Sequence, residues 1–395
     1  MSAARAPGLA VLLAATATLV CAAAGCAPQE PANRLSKPQL RDRAWSLLTL
    51  MASAEDPRLR TLAIEAMAET DAAAGLRYYR DSLADRSVGN TVARFAACMA
   101  VGQNRLAEAR DAVEANIDDA DPSVQAAAAF ALARMGDLSR TDRLVQLTFH
   151  SRPNIRANAF RLIGMLEDPR LEVILKRAVV DDDISVRWEG QEALARLGNE
   201  QIIEQLLSWS NMGYPDERIR SMQILGQLRI ARAAPVIDGQ RLNPYDEVRL
   251  AAVRSLGLMG DPVGMGFVQS KLREKEKLVY DDNMSDEAFL EYQSGVRIRS
   301  MAAMAAGAIG REELLPHLAA RLNDQDRRVR IAAAKAIIET IDRGPHPRIT
   351  PQRADMPNAE PGGRTIRRFD TPRGEEQNDT RLDRRVAPGG TRPQQ

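Results

Sequence analysis

The stretch Tyr245–Pro262, YDEVRLAAVRSLGLMGDP, decides how this chain is read. Val248 and Arg249 open a helix, Ala252 follows one turn after Val248, and Met259-Gly260-Asp261-Pro262 closes it. Residues one turn apart share a helical face, and a small residue there lets a second helix approach closely. Glycine after the last apolar turn is a C-terminal stop. So short a helix cannot bury its apolar face alone, and its relatives must be sought along the chain.

They recur along most of its length. Anchored on the first aliphatic residue of each helix, the units begin at Leu59, Val92, Val124, Ile155, Val186, Ile219, Val248, Ile298 and Val329. Successive anchors are 29 to 33 residues apart, with one spacing of 50. Arginine follows the anchor at Arg60, Arg156, Arg187, Arg220, Arg249, Arg299 and Arg330. A small residue lies one turn later in every unit except that of Ile219, where Gln223 stands. Gly136, Gly198, Gly260 and Gly310 follow their helices as C-caps; Asp121, Asp183 and Asp216 precede anchors, where a carboxylate caps an N-terminus. The segments between units, such as Arg105–Ile117, Leu171–Val180, Glu200–Trp209 and Glu312–Leu322, read as partner helices.

The pattern Asp-x-x-Val-Arg-x-x-Ala-x-x-Ala-Leu-x-x-Leu-Gly resembles the HEAT-like repeats of the phycobilisome-lyase type, over roughly Arg58–Ile341. The resemblance implies an all-α, right-handed α-α superhelix, a solenoid of the HEAT/armadillo type. It also implies a ladder in which Asp and Arg of successive units pair. The candidates are Asp56/Arg60, Asp183/Arg187, Asp216/Arg220, Asp246/Arg249 and Asp326/Arg330, with Arg156 and Arg299 at matching positions. Their expected role is structural, joining repeats and satisfying helix ends.

Composition agrees with stacked helices. Of 395 residues only 4% are aromatic, and the formal net charge is +1, which calls for no nucleic acid or anionic surface as partner. The cysteines, Cys21, Cys26 and Cys98, form no metal-binding or haem-attachment spacing, and Cys98 reads as a buried core residue.

The ends differ from the middle. Met1–Gly25 reads as a signal peptide, with Arg5 ahead of an apolar run, Leu9–Val20, too short to span a membrane. Ala23-Ala24-Gly25-Cys26 resembles a bacterial lipobox, although Ala23 stands where leucine is usual. Cleavage there would leave Cys26 lipidated, followed by a proline-bearing tether through Pro38. With Ala27 next, the resemblance implies the periplasmic face of the outer membrane; cleavage after Ala24 would instead give a soluble periplasmic or secreted protein. The repeats are expected over 39–342, opening with a cap helix, Gln39–Met51. Residues 343–395, rich in Pro, Gly and Arg, are expected to be disordered.

One interruption breaks the period. Between Val248 and Ile298 about twenty residues are surplus, in Arg273–Gly295. Solenoid insertions map to loops on one face, often the binding face. Tyr280, Phe289 and Tyr292 there are the candidate partner contact.

Two HEAT-like families carry out chemistry. Deoxyhypusine hydroxylases hold iron with His-Glu pairs, whereas His150, His317 and His346 are followed by Ser151, Leu318 and Pro347. Phycobilin lyases work in the cytoplasm, which conflicts with an export signal. No phosphate loop, nucleophile elbow or HExxH motif occurs. The expectation is a non-enzymatic, lipid-anchored, monomeric scaffold that binds a protein partner, with no cofactor and no metal. The alternatives are a lyase- or hydroxylase-type enzyme or accessory subunit, and an envelope assembly or chaperone-like factor.

Overall fold

The computed structural model describes residues 35–349 except 276. Among them are eighteen α-helices and no strand. The first, α1, spans Lys37–Ala52. Nine motif helices follow: α2 (Pro57–Thr70), α4 (Thr91–Asn104), α6 (Pro122–Arg134), α8 (Pro153–Leu166), α10 (Ile184–Arg196), α12 (Pro215–Gln227), α14 (Asp246–Leu258), α16 (Asp286–Ile309) and α18 (Arg327–Asp342). Between them lie α3 (Leu76–Ala84), α5 (Arg110–Glu114), α7 (Thr141–Leu147), α9 (Glu172–Ala178), α11 (Glu200–Met212), α13 (Ala234–Gly239), α15 (Met265–Arg273) and α17 (Leu315–Arg321).

Local chemistry sets the helix ends. Asp56, Asp121, Asp183 and Asp326 each accept the N–H of the residue two positions on, at 2.7 to 2.9 Å, satisfying a donor that the helix leaves free. Pro57, Pro122, Pro153 and Pro215 occupy first helical positions, where no N–H is needed. Gly136, Gly198, Gly260 and Gly310 all have positive φ. Arg105, Glu167 and Arg229 adopt the same left-handed conformation without being glycine.

The anchors form the core. Leu59, Val124, Ile155, Val186, Val248 and Val329 are buried. Val92 is a correction, since it is 57% exposed and Ala93 is buried in its place. The register of that unit is therefore one residue later than the aliphatic pattern indicates, which brings Arg94 into line with the other motif arginines.

A second glycine series sets how closely successive motif helices pack. A Cβ on Gly102 would lie 2.7 Å from Ala131 Cα, one on Gly164 2.8 Å from Ala193 Cα, and one on Gly226 2.7 Å from Ser255 Cα. Gly257 abuts Ile309 and Gly307 abuts Ala336 in the same way. These approaches shorten the inner side of the stack and curve it strongly.

The curvature closes the helical unit on itself. The last motif helix, α18, packs against both α1 and α2. Arg41 of α1 bonds Asp342 at 2.8 Å, Lys37 meets Glu312 at 2.5 Å, and Lys335 of α18 pairs with Glu69 of α2. The superhelix that the repeats imply is curved so far that the motif helices form a ring around a central lumen. The boundary of the C-terminal tail also shifts. Residues 343–349 continue past α18 as a strap: the Ile349 N–H donates to Met259 O at 2.9 Å and Arg348 pairs with Asp261 at 3.2 Å.

Candidate functional site

The motif arginines join successive loops by one repeated geometry. Arg60 reaches Asp85 at 3.3 Å, Arg94 reaches Asp119 at 3.0 Å, Arg156 reaches Asp181 at 2.6 Å and Arg299 reaches Asp324 at 2.8 Å. In each pair the aspartate lies 25 residues after its arginine, in the loop entering the next unit. Asp119, Asp181 and Asp324 each also accept the N–H two residues later, which holds the carboxylate in place. Burial pushes Asp324 and Asp119 up, but the arginine and backbone hydrogen bonds outweigh it and hold both below the usual carboxylate range. Asp181 is lowered chiefly by its hydrogen bonds from Arg156.

The expected pairing within the motif is therefore corrected. Asp56, Asp183 and Asp326 turn back onto their own helices as N-caps, so none pairs with the arginine one turn later. Arg187 donates instead to the carbonyls of Asp181 and Asp182. Arg220 crosses to Glu189 and Glu192 of α10 at 3.0 and 3.1 Å, leaving Asp216 in the first turn of α12. Arg249 does lie 3.3 Å from Asp246, and its guanidinium stacks 3.7 Å over the Phe267 ring. Arg330 belongs to the last described unit, and its Nε is buried without a hydrogen-bond partner. The aspartates that do pair sit two residues ahead of the caps, outside the resemblance; the recurring Asp-x-Asp of the loops at 119–121, 181–183 and 324–326 marks them.

The second half of the insertion is helix. It lengthens α16 to 24 residues, against 13 to 16 in the other motif helices. Tyr292 is corrected as a contact residue: it is buried, and its hydroxyl donates to Asp326 Oδ2 at 2.9 Å. Tyr280 packs on Tyr292 with ring centroids 5.6 Å apart and keeps half its surface exposed. Phe289 and Leu290 of α16 are also exposed, at 40% and 67%. Cys26 lies outside the described residues, and Cys98 is buried, its thiol pushed up to about 12 by burial.

The lumen is the site that the sequence did not disclose. Near the N-terminal ends of the motif helices it opens as a chamber of about 780 Å³, walled by α2, α14, α16 and α18. The extra turns of α16 supply one wall through Leu290, Gln293, Ser294 and Arg297. A second chamber of about 570 Å³ lies toward the C-terminal ends and touches eight of the nine motif helices. Both share Glu69, Arg254, Met304, Ala332 and Lys335.

The second chamber is charged. Glu65, in the wall of the first chamber, has its carboxyl raised by burial against the pull of Arg161. Burial likewise raises Glu189, opposed by Arg220 and then Arg161. His346 of the strap lines this chamber, with Nε2 buried and unpartnered. Burial, with Arg343 and Arg229 adding to it, lowers His346 to about 4. His150 and His317 lie on other elements, His150 accepting from Arg152 N and His317 facing Arg273. Among the described residues no group of three His, Cys, Asp or Glu is placed to hold a metal ion.

Comparison with known proteins agrees with the helix pairs. Residues 113–195 match the family model for HEAT repeats, and 314–341 match the HEAT repeat model. No curated protein sequence matches the chain at a comparable level. Human deoxyhypusine hydroxylase in complex with glycerol is similar over 68% of this chain and 96% of its own, at 19% identity and a TM-score of 0.35. The complex of CpcE and CpcF of phycocyanin lyase from Nostoc is similar over 69% and 97%, at 18% identity and a TM-score of 0.37. At that identity and score neither likeness carries chemistry to this chain. By its repeat pattern, its helix pairs and its two family matches, the chain is a HEAT-like repeat protein.

Proposed function

We propose that the protein is a non-enzymatic scaffold, anchored by a lipid on Cys26 at the periplasmic face of the outer membrane, that holds a protein partner at the N-terminal rim of its ring. The observation that supports this best is the rim itself. Val279, Tyr280, Phe289 and Leu290 are each exposed, and all four fall in the one insertion of an aromatic-poor chain. Phe289 and Leu290 stand on a helix and Val279 and Tyr280 in the loop before it, and exposed aromatic and aliphatic side chains are what protein interfaces use as anchors. The leader and the proline-bearing tether support the location.

The test is affinity capture with the full chain and with a Tyr280→Ser/Phe289→Ser/Leu290→Ser variant. One stoichiometric partner, retained by the wild type and lost from the variant, is the expected result. Many substoichiometric partners, indifferent to the rim, would instead mark a chaperone-like factor.

A further inference from the structure

The N-terminal chamber carries its own ligand chemistry and shares Leu290 with the rim. Its walls are mostly apolar, with Leu62, Leu290, Val296, Met304 and Ile331 facing a space of about 780 Å³. That lies within the usual range of small-molecule sites. Most of its charged side chains are already paired. Lys335 meets Glu69 and Glu339, Arg297 meets Glu247 at 2.7 Å, and Arg328 meets Asp326 at 2.7 Å. Gln293 is also engaged, accepting from Arg328 at 2.9 Å.

Of the chamber's polar side chains, Glu65, Arg254, Ser294 and Ser300 have no hydrogen bond or ion pair among the described residues. Arg254 of α14 is half-buried in the chamber and has no hydrogen bond or ion pair among the described residues. Ser300 Oγ of α16 is buried and likewise unpartnered. The register of the two helices brings them together. Glu247 pairs with Arg297, and Gly257 packs on Ala308 and Ile309, so Arg254 lies level with Met304. Helical side chains lean toward the N-terminus, which aims the Arg254 guanidinium toward Ser300, one turn back. A partly desolvated guanidinium with no ion pair, aimed toward an unsatisfied hydroxyl, suits an anion.

We propose that the chamber binds a single-chain anionic amphiphile, a long-chain carboxylate. Its head group accepts hydrogen bonds from Arg254 and Ser300, and its hydrocarbon chain lies along Leu62, Val296, Met304 and Ile331. A peptide is disfavoured, because its amides would need partners and the remaining wall polar groups are mostly engaged. The chamber's acids do not cancel Arg254. Neither acid lies within ion-pair distance of Arg254: Glu69 pairs with Lys335, and Glu65 stands on α2, its carboxyl raised chiefly by burial.

The experiment titrates the full chain with cis-parinaric acid, which fluoresces when its chain is buried, and displaces it with oleate or oleyl alcohol. Saturable binding near one equivalent is expected, with oleate stronger than the alcohol. Arg254→Gln is expected to weaken oleate about tenfold, the size of one charge-assisted contact, and to leave oleyl alcohol unchanged. Arg254→Lys should recover part of the loss, and Met304→Trp, which fills the chamber, should abolish both. Thermal melts of each variant separate lost binding from lost folding. Absence of saturable binding, or oleate affinity indifferent to Arg254→Gln, overturns the proposal. Neither result bears on capture of a protein at the rim.

Discussion

Arg299 Nε lies 2.8 Å from Asp324 Oδ2, with the aspartate side chain fully buried between Arg299 and Arg321. The same 25-residue offset joins Arg94 to Asp119, where both side chains are also buried. A buried pair contributes little net stability compared with an apolar substitute, but removing one partner strands the other charge. These links therefore fix how one loop sits on the next more than they add to the stability of the fold.

Removing an arginine from a buried pair should be costly. Arg94→Met is expected to lower stability by about 3–5 kcal/mol in a urea titration, leaving Asp119 buried with only Arg86. Arg330→Met, which removes no ion pair, should cost under about 1 kcal/mol. Equal losses at the two positions would contradict the ladder described above.

The ladder also sets the acid limit. Asp119, Asp181 and Asp324 are held below the usual carboxylate range in the folded state, so the folded protein binds fewer protons than the unfolded chain as pH falls. Their contribution is fully present above the unfolded carboxylate value of about 4 and is lost as pH falls through the lowered values. Melting temperature against pH should drop steeply below about pH 4, and more shallowly in Asp181→Asn, where one such group is gone.

Docking of the strap should depend on pH in the same sense for a different reason. His346 is lowered to about 4, so its docked form favours the neutral ring, whereas a released imidazole titrates near 6.5. Docking is fully favoured above that ordinary value and weakens as pH falls toward 4, when a proton would sit among Arg343 and Arg229. Hydrogen exchange at the Ile349 amide, which is bonded to Met259 O, reads this directly once intrinsic rates are removed. Protection should fall between pH 6.5 and 4 in the wild type and stay level in His346→Leu.

Two glycines should respond oppositely to alanine. Gly164 packs against Ala193, where a Cβ would lie 2.8 Å from Cα, so Gly164→Ala is expected to cost about 1–3 kcal/mol by forcing α8 and α10 apart. Gly266, inside α15, has open space at its Cβ position, and Gly266→Ala should stabilise by up to about 1 kcal/mol. Chemical denaturation of both variants checks the pair.

The repeat, the paired helices and the caps were legible because they depend on residues close together in sequence. The period, the N-cap aspartates and the positive-φ glycines at 136, 198, 260 and 310 needed no tertiary information. The closure was not legible, because curvature is a sum of small rotations set by contacts such as Gly102 on Ala131 and Gly307 on Ala336. Register failed at Val92 because an exposed valine stands next to a buried alanine, and size outweighed position in reading it. Tyr292 shared the aromatic signal of Tyr280 and Phe289, but its hydroxyl finds Asp326 and the ring is buried with it. The lumen residues, among them Arg161, Glu192 and Arg254, come from separate units and converge only when the ring shuts.

The closed ring is the claim on which the lumen depends, and it is tested where the first helix meets the last unit. Lys37 and Glu312 lie 2.5 Å apart through their side chains, far apart in sequence. In a Cys26→Ser background, Lys37→Cys and Glu312→Cys should be joined by a short bis-maleimide within one chain, giving a faster-migrating monomer under denaturing conditions. Absence of the internal crosslink, or crosslinking only between chains, would contradict the ring and return the protein to an open solenoid.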